Sequence, residues 1–317
     1  MEEKIWDTAI IGSGPAGLTA GIYTTRGALS TVIIGGDSWG GQLMLTTLVD
    51  NFPGFPDGVM GPDLMEKMKA QVIRFGAEFV PQNVTKVDFS RNPFVLTSHQ
   101  SQITARSVII ATGAETKWLD VKGEKELIGR GISSCAPCDA PFFKDKYVLV
   151  IGGGDSAMEE ALVLTKYASK VTIIHRRGEF KASKAMQDKV FANSKINVIW
   201  DSEITEVKGG DRLQGIVIKN TKTNETSEVK ADGMFVAIGH NPTSGIFKGL
   251  IDMDEKGYIV QSTKYKVQST KYSTATNVEG VFVSGDVHDH TYKQAITAAG
   301  YGCMAAMDTL NYLSNRG

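Results

Sequence analysis

Apolar residues in this chain gather in short continuous runs rather than in strict alternation. Thr8-Ala9-Ile10-Ile11, Thr31-Val32-Ile33-Ile34, Tyr147-Val148-Leu149-Val150-Ile151 and Val171-Thr172-Ile173-Ile174 are too short for helices and rich in β-branched residues. Such runs predict strands buried on both faces, as in a parallel sheet. Three later runs share this character and end in small residues: Val108-Ile109-Ile110-Ala111-Thr112-Gly113, Met234-Phe235-Val236-Ala237-Ile238-Gly239 and Val281-Phe282-Val283-Ser284-Gly285-Asp286. Helices are expected at 18–26, at 158–167, where Ala161, Leu162, Leu164 and Thr165 are spaced for one buried face, and from about 292 to 313. The last of these carries Gln294-Ala295-Ile296-Thr297-Ala298-Ala299-Gly300, residues small enough for close approach of a flat ligand. One segment stands apart: Val260-Gln261-Ser262-Thr263-Lys264-Tyr265 recurs at 267–272 after Lys266. It reads as a duplicated, exposed edge strand or hairpin with no chemistry of its own.

Two of the strands run into glycine turns. The first feeds Gly12-Ser13-Gly14-Pro15-Ala16-Gly17, a helix and a second strand, which is the context a dinucleotide fingerprint requires. Gly12 makes the tight turn, Gly14 lets backbone approach a pyrophosphate, and Gly17 lets helix pack on strand. The helix N-terminus then offers free N–H groups and its dipole to the anion. The pattern returns at Gly152-Gly153-Gly154-Asp155-Ser156-Ala157, again between strand and helix, with Ala in the last place. Two fingerprints imply two dinucleotides.

The ends of the second strands separate the ligands. An acid there takes the ribose 2′-hydroxyl of NAD. After Ile174 the chain instead reads His175-Arg176-Arg177, with Lys181 close behind, a cluster that favours the 2′-phosphate of NADP. The alternative is a solvated basic turn. The first unit continues as Gly35-Gly36-Asp37 with no clear acid at the strand end, so Asp37 is not assigned to a ribose.

This order of elements predicts an α/β protein of two Rossmann-like three-layer nucleotide-binding domains, one inserted in the other. The outer domain spans 1–114 and 247–317, and the inserted domain 118–243, with crossings near Glu115-Thr116-Lys117 and Asn241-Pro242-Thr243. A length of 317 residues, 42% of them hydrophobic, suffices for two cores. Lys and Arg number 34 against 35 Asp and Glu, so no basic field recommends nucleic acid or an anionic membrane. The N-terminus lacks the features of a signal or transit peptide, and no apolar stretch approaches a membrane span, so a cytoplasmic protein is expected.

Three cysteines are too few for a disulfide framework. Two of them form Ser134-Cys135-Ala136-Pro137-Cys138-Asp139, just before the strand of the second unit. Such a pair is a zinc half-site, a redox disulfide or incidental. Zinc needs two further ligands, and the histidines at 99, 175, 240, 288 and 290 offer no suitable second pair, so no metal is expected. A redox dithiol fits a chain with two nucleotide sites, because a flavin can hand a hydride equivalent to a disulfide. Asp139 is then placed to protonate the departing thiolate; the alternative is a helix-capping carboxylate. Cys303 stands alone and reads as a small buried core residue.

With these features the chain resembles the low-molecular-weight thioredoxin reductases over nearly its whole length. The resemblance is carried by the first glycine turn, Gly40-Gly41-Gln42-Leu43, Asn51-Phe52-Pro53-Gly54-Phe55, Ala111-Thr112-Gly113 and the Cys-x-x-Cys-Asp. It continues through the residues from Gly152 to Glu160, His175-Arg176-Arg177, Gly239-His240-Asn241-Pro242 and Gly285-Asp286-Val287. It implies a homodimer in which the outer domain binds FAD, the inserted domain binds NADPH, and thioredoxin or a thioredoxin-like protein is the partner. Gln42, Thr46, Asn51, Asp286, Gln294 and Ala295 would surround the ribityl chain and isoalloxazine. Gly12, Ser13, Gly14, Pro15, Ala16, Gly35, Gly41, Leu43, Val84, Ala111, Thr112, Gly113, Gly285 and Lys293 would complete that site. Gly153, Gly154, Asp155, Ser156, Glu159, His175, Arg176, Arg177, Lys181, Ile238 and Gly239 would hold NADPH. Cys138 would face the flavin, and Cys135 would attack thioredoxin's disulfide.

Three departures bear on this. Ala-Pro replaces the commoner Ala-Thr between the cysteines, a change that touches the pair's potential. Lys181 replaces an Arg, keeping charge but losing the bidentate fork, and Lys293 replaces another before Gln294-Ala295. Two other readings keep the fold: an oxidase of small dithiols using oxygen, against which Arg176 and Arg177 argue, and a flavin redox sensor without turnover.

Overall fold

The computed structural model describes residues 4–99, 101–262 and 273–316. Residues 263–272, with most of the duplicated segment, lie outside the described residues. The chain divides into two compact units, Met1–Glu115 with Asn241–Gly317, and Thr116–His240. Two short strands at the boundary, Ala114–Thr116 and His240–Pro242, pair with each other.

In the first unit, parallel strands follow the order Glu78–Val80, Thr31–Ile34, Ile5–Ile11, Gln102–Ile110. The last of these changes partner halfway along. Its start runs antiparallel to Phe94–Ser98, which in turn pairs Val84–Asp88, and its end runs parallel to Val281–Val283. The register aligns Ile33, Ile10, Ile109 and Phe282 in one row. That row lies under the helices Pro15–Arg26, Gly61–Arg74 and Ala295–Ser314. Their neighbours Val32, Ile34, Ala9, Ile11, Val108 and Ile110 point to the other face and are covered by Phe89, Phe94 and Phe247. Because successive residues take opposite faces and both faces are buried, the sequence shows unbroken apolar runs.

The second unit repeats the logic. Its five parallel strands run in the order Ile132–Ser133, Gly233–Val236, Tyr147–Ile151, Lys170–Ile174, Ile196–Ile199. Val148, Val150, Ile173 and Phe235 pack on Ala157, Met158, Ala161 and Leu164 of the helix Asp155–Leu164. Leu149, Ile151, Ile174 and Met234 pack on an antiparallel sheet of Ser202–Gly209, Leu213–Asn220 and Thr226–Lys230. The periodicity did not announce that sheet, whose outer strand is largely exposed and polar.

Helix boundaries shift for local reasons. The first helix starts at Pro15, earlier than expected, because a proline suits the first helical position. The second nucleotide helix runs Asp155–Leu164, ending three residues before the expected 167. The last helix starts at Ala295 rather than near 292. Lys293 has φ 48, and Gln294 closes a reciprocal capping box with Thr297. Cys303 is half-buried rather than a core residue. Among the described residues, no helix is long and apolar enough to cross a membrane.

Candidate active site

The first glycine turn is shaped by close backbone approach. Gly12 has φ 112, and a Cβ there would lie 2.2 Å from the carbonyl oxygen of Ala111. A Cβ on Gly17 would lie 2.0 Å from the Gly12 carbonyl oxygen, so strand, turn and helix close on one another only without side chains. Gly14, by contrast, faces open space at the start of the helix Pro15–Arg26. The Ser13 hydroxyl donates to Gly35 O at 2.6 Å and accepts from the Gly40 N–H at 2.9 Å. It thereby ties the turn to the second strand and to the Gly41–Leu45 turn of helix that carries Gln42 and Leu43. The Cβ position of Gly61 falls against Leu43 O and Thr46 Cγ2, which seats that segment on the helix Gly61–Arg74.

The same rim gathers the C-terminal candidates. A Cβ on Gly285 would meet the Ala16 side chain at 2.8 Å. The Asn51 side-chain amide donates to Gln294 Oε1 at 3.2 Å. Asp289 accepts the backbone N–H groups of Thr291 and Tyr292 at 2.9 and 3.0 Å, shaping the loop that presents Lys293. Asp286 Oδ1 is shut off from water and has no hydrogen-bond partner among the described residues. Burial, with the charge of Asp289 adding to it and Lys293 opposing it, pushes this carboxyl up to about 6. Val84 follows Asn83, whose side chain binds the Asp37 carboxylate at 2.5 Å.

In the second unit a Cβ on Gly152 would lie 2.4 Å from the Ala237 carbonyl oxygen, so Ile238 and Gly239 leave the sheet directly beside the turn. A Cβ on Gly153 would fall 2.3 Å from the His175 ring, which itself is buried against Phe180 and Trp200. Burial first, then the positive charges of Arg177, Arg176 and Lys181, hold His175 below its usual range, against a hydrogen bond to the Glu179 backbone. Arg176, Arg177 and Lys181 are exposed, and none is in an ion pair among the described residues. Gly154 again faces open space, and Ser156 and Glu159 are exposed on the helix that starts there.

Cys135 and Cys138 form a disulfide with Cα atoms 5.3 Å apart, so the two sulfurs a zinc site would need are bonded to each other. Cys135 precedes the short helix Ala136–Asp139. Two residues that the sequence did not single out hold this helix. Glu160 accepts the Ala136 N–H at 2.6 Å from the neighbouring helix, and Ser133 Oγ accepts the Cys135 N–H at 3.0 Å. Burial raises the Asp139 carboxyl above its ordinary range, and a hydrogen bond from Ser133 opposes the rise. Asp139 ends the helix Ala136–Asp139 and is the N-cap residue of the following turn of helix, Ala140–Phe143, where its side chain makes no capping hydrogen bond.

Both turns pass a test of fit on their own geometry. Each leaves its middle glycine position open at a helix N-terminus, with room for a pyrophosphate to approach the backbone. The first adds an orphaned buried carboxylate oxygen, an acceptor suited to a ligand hydroxyl. The second adds three exposed cations suited to a phosphate.

Known proteins agree with this geometry. A family described as pyridine nucleotide-disulphide oxidoreductase matches residues 6–302. A thioredoxin reductase of Streptomyces clavuligerus is 50% identical over 307 residues, covering 96% of this chain and 93% of its own. One of Rickettsia felis is 50% identical over 309 residues, covering 96% of this chain and 97% of its own. Among solved structures, a thioredoxin reductase from Giardia duodenalis superposes with a TM-score of 0.92 at 41% identity, covering 98% of this chain and all of that one.

Proposed function

Since the chain belongs to the pyridine nucleotide-disulphide oxidoreductase family, we propose that it is a thioredoxin-disulfide reductase. It takes electrons from NADPH, through FAD, to the Cys135–Cys138 pair and on to thioredoxin or a thioredoxin-like protein. The observation that carries this reading is the disulfide itself, housed in the unit that also contains the second glycine turn and its basic cluster. FAD at the first turn supplies two-electron exchange between a nicotinamide and a disulfide.

The residues of this chain divide the work. The N-terminus of the helix Pro15–Arg26 would hold the pyrophosphate of FAD, and Asp286 would accept from one of its ribityl hydroxyls. Arg176, Arg177 and Lys181 hold the 2′-phosphate of NADPH. Once the disulfide is reduced, Cys135 attacks one sulfur of the partner's disulfide, forming a mixed disulfide and releasing a partner thiolate. Cys138 then attacks Cys135 sulfur, which restores the internal disulfide and frees the partner as a dithiol. Asp139, held protonated more readily by burial, supplies the proton to a departing thiolate. A homodimer belongs to the same reading, and exposed Ile296, Met304 and Met307 give the last helix an apolar stripe for a second copy.

The test is direct. NADPH added anaerobically to the purified flavoprotein should bleach the flavin absorbance, and oxidised thioredoxin should restore it. Bleaching by small dithiols but not by NADPH would favour the oxidase reading instead.

A further inference from the structure

After His175 the chain runs exposed through Arg176, Arg177, Gly178 and Glu179 and returns to the core at Phe180, whose ring lies 4.3 Å from that of Trp200. The next three residues are then fastened to the second glycine turn one after another. The Lys181 and Ala182 N–H groups donate to the Gly153 carbonyl at 2.7 and 3.1 Å. Ser183 donates both its N–H and its hydroxyl to one oxygen of Asp155, at 2.9 and 2.7 Å. These two bonds, the hydroxyl's first, hold the Asp155 carboxyl below its ordinary range. Asp155 is the first residue of the helix after the turn, where a carboxylate would repel a pyrophosphate if it faced one. Its Oδ1 is instead engaged by the loop.

We propose that Asp155 is a positioning residue for nucleotide specificity: with Ser183 it latches the 178–183 loop to the glycine turn and so fixes Lys181 for the 2′-phosphate. This rests on the reading of the second unit as an NADP site. The sequence placed Asp155 among the residues touching the dinucleotide; the geometry assigns it to the loop that does. Arg176 and Arg177 flank a buried ring at one end of the loop, and the latch secures the other end. Without it the loop would be held to the turn only by the Lys181 and Ala182 bonds to Gly153, part of its backbone would have to be ordered at each binding event, and affinity would fall by that ordering cost. The loss falls on the 2′-phosphate alone, since the turn keeps its own fold through Gly152, Gly153 and the sheet.

The test is calorimetric binding of 2′,5′-ADP and of 5′-ADP to the oxidised holoenzyme, a readout independent of turnover. Asp155→Ala should weaken 2′,5′-ADP about tenfold and 5′-ADP less than about threefold, the cost of re-ordering roughly one residue of loop backbone. Asp155→Asn retains the accepting oxygen and should restore the preference, which a charge-based role would not allow. Ser183→Ala removes one donor and leaves the acid in place, so it should show a smaller loss of the same kind even if Asp155→Ala folds poorly. Equal loss of both ligands in Asp155→Ala, or no loss of either, would overturn the latch. Arg176→Ala separates the two layers of the argument. If it weakens 2′,5′-ADP while the Asp155 and Ser183 variants do not, only the latch fails; if it too has no effect, the NADP reading fails and the latch with it.

Discussion

Replacing Asp286 with Asn should move the stability of the flavin-free protein and its flavin affinity in opposite directions. The carboxyl has an ordinary value of 3.8 and stands near 6 in the fold, raised first by burial and then by Asp289. Between those values the unfolded chain has released a proton that the folded chain still holds. The unfolded form therefore gains relative stability as pH rises through the window, and the penalty is complete above about pH 6. A separation of about two pH units corresponds to on the order of 3 kcal/mol. Asparagine does not titrate and is nearly the same size. Flavin-free Asp286→Asn should thus exceed flavin-free wild type by on the order of 2–3 kcal/mol at pH 8 and match it near pH 4. The same change removes a charged acceptor from a ligand hydroxyl, which should weaken FAD about ten- to hundredfold. Urea unfolding of both stripped proteins at the two pH values, with fluorimetric FAD titration at pH 8, measures each arm. A stability difference that does not change with pH, or undiminished FAD affinity, would refute the assignment.

Other expectations follow from the same geometry. Arg176→Ala should raise the KM for NADPH about ten- to hundredfold and leave that for NADH nearly unchanged, measured by steady-state kinetics with each nucleotide. Cys135→Ser should keep a thiolate at Cys138 and show a long-wavelength charge-transfer band with oxidised FAD, and Cys138→Ser should lack it. Normal thioredoxin reduction by both single variants would remove the dithiol from the pathway. Gly12→Ala puts a methyl 2.2 Å from the Ala111 carbonyl oxygen at a positive φ. It should cost about 3 kcal/mol or more and lower the flavin-to-protein absorbance ratio.

What was legible in the sequence is what the backbone imposes locally. The strands Thr31–Ile34 and Tyr147–Ile151 occupy the residues their apolar runs mark, because a strand buried on both faces leaves no polar position. The glycine turns were legible because their spacing is dictated by close contacts within a few residues. Partners chosen across long separations were not. Glu160 reaches Ala136 across 24 residues, Ser183 reaches Asp155 across 28, and Asn83 reaches Asp37 across 46. Each is an ordinary polar side chain whose role exists only once two elements are packed together. The strand Thr226–Lys230 escaped for a related reason: an exposed outer strand carries no apolar run to mark it.

The central claim is that electrons from NADPH reach the Cys135–Cys138 disulfide through the flavin, and counting electrons tests it most directly. Anaerobic titration with NADPH, followed by flavin absorbance and thiol assay, should show the wild-type protein accepting two equivalents per flavin, one for FAD and one for the disulfide. A Cys135→Ser/Cys138→Ser variant should accept one. Equal uptake by both proteins, with no new thiols in the wild type, would contradict the account.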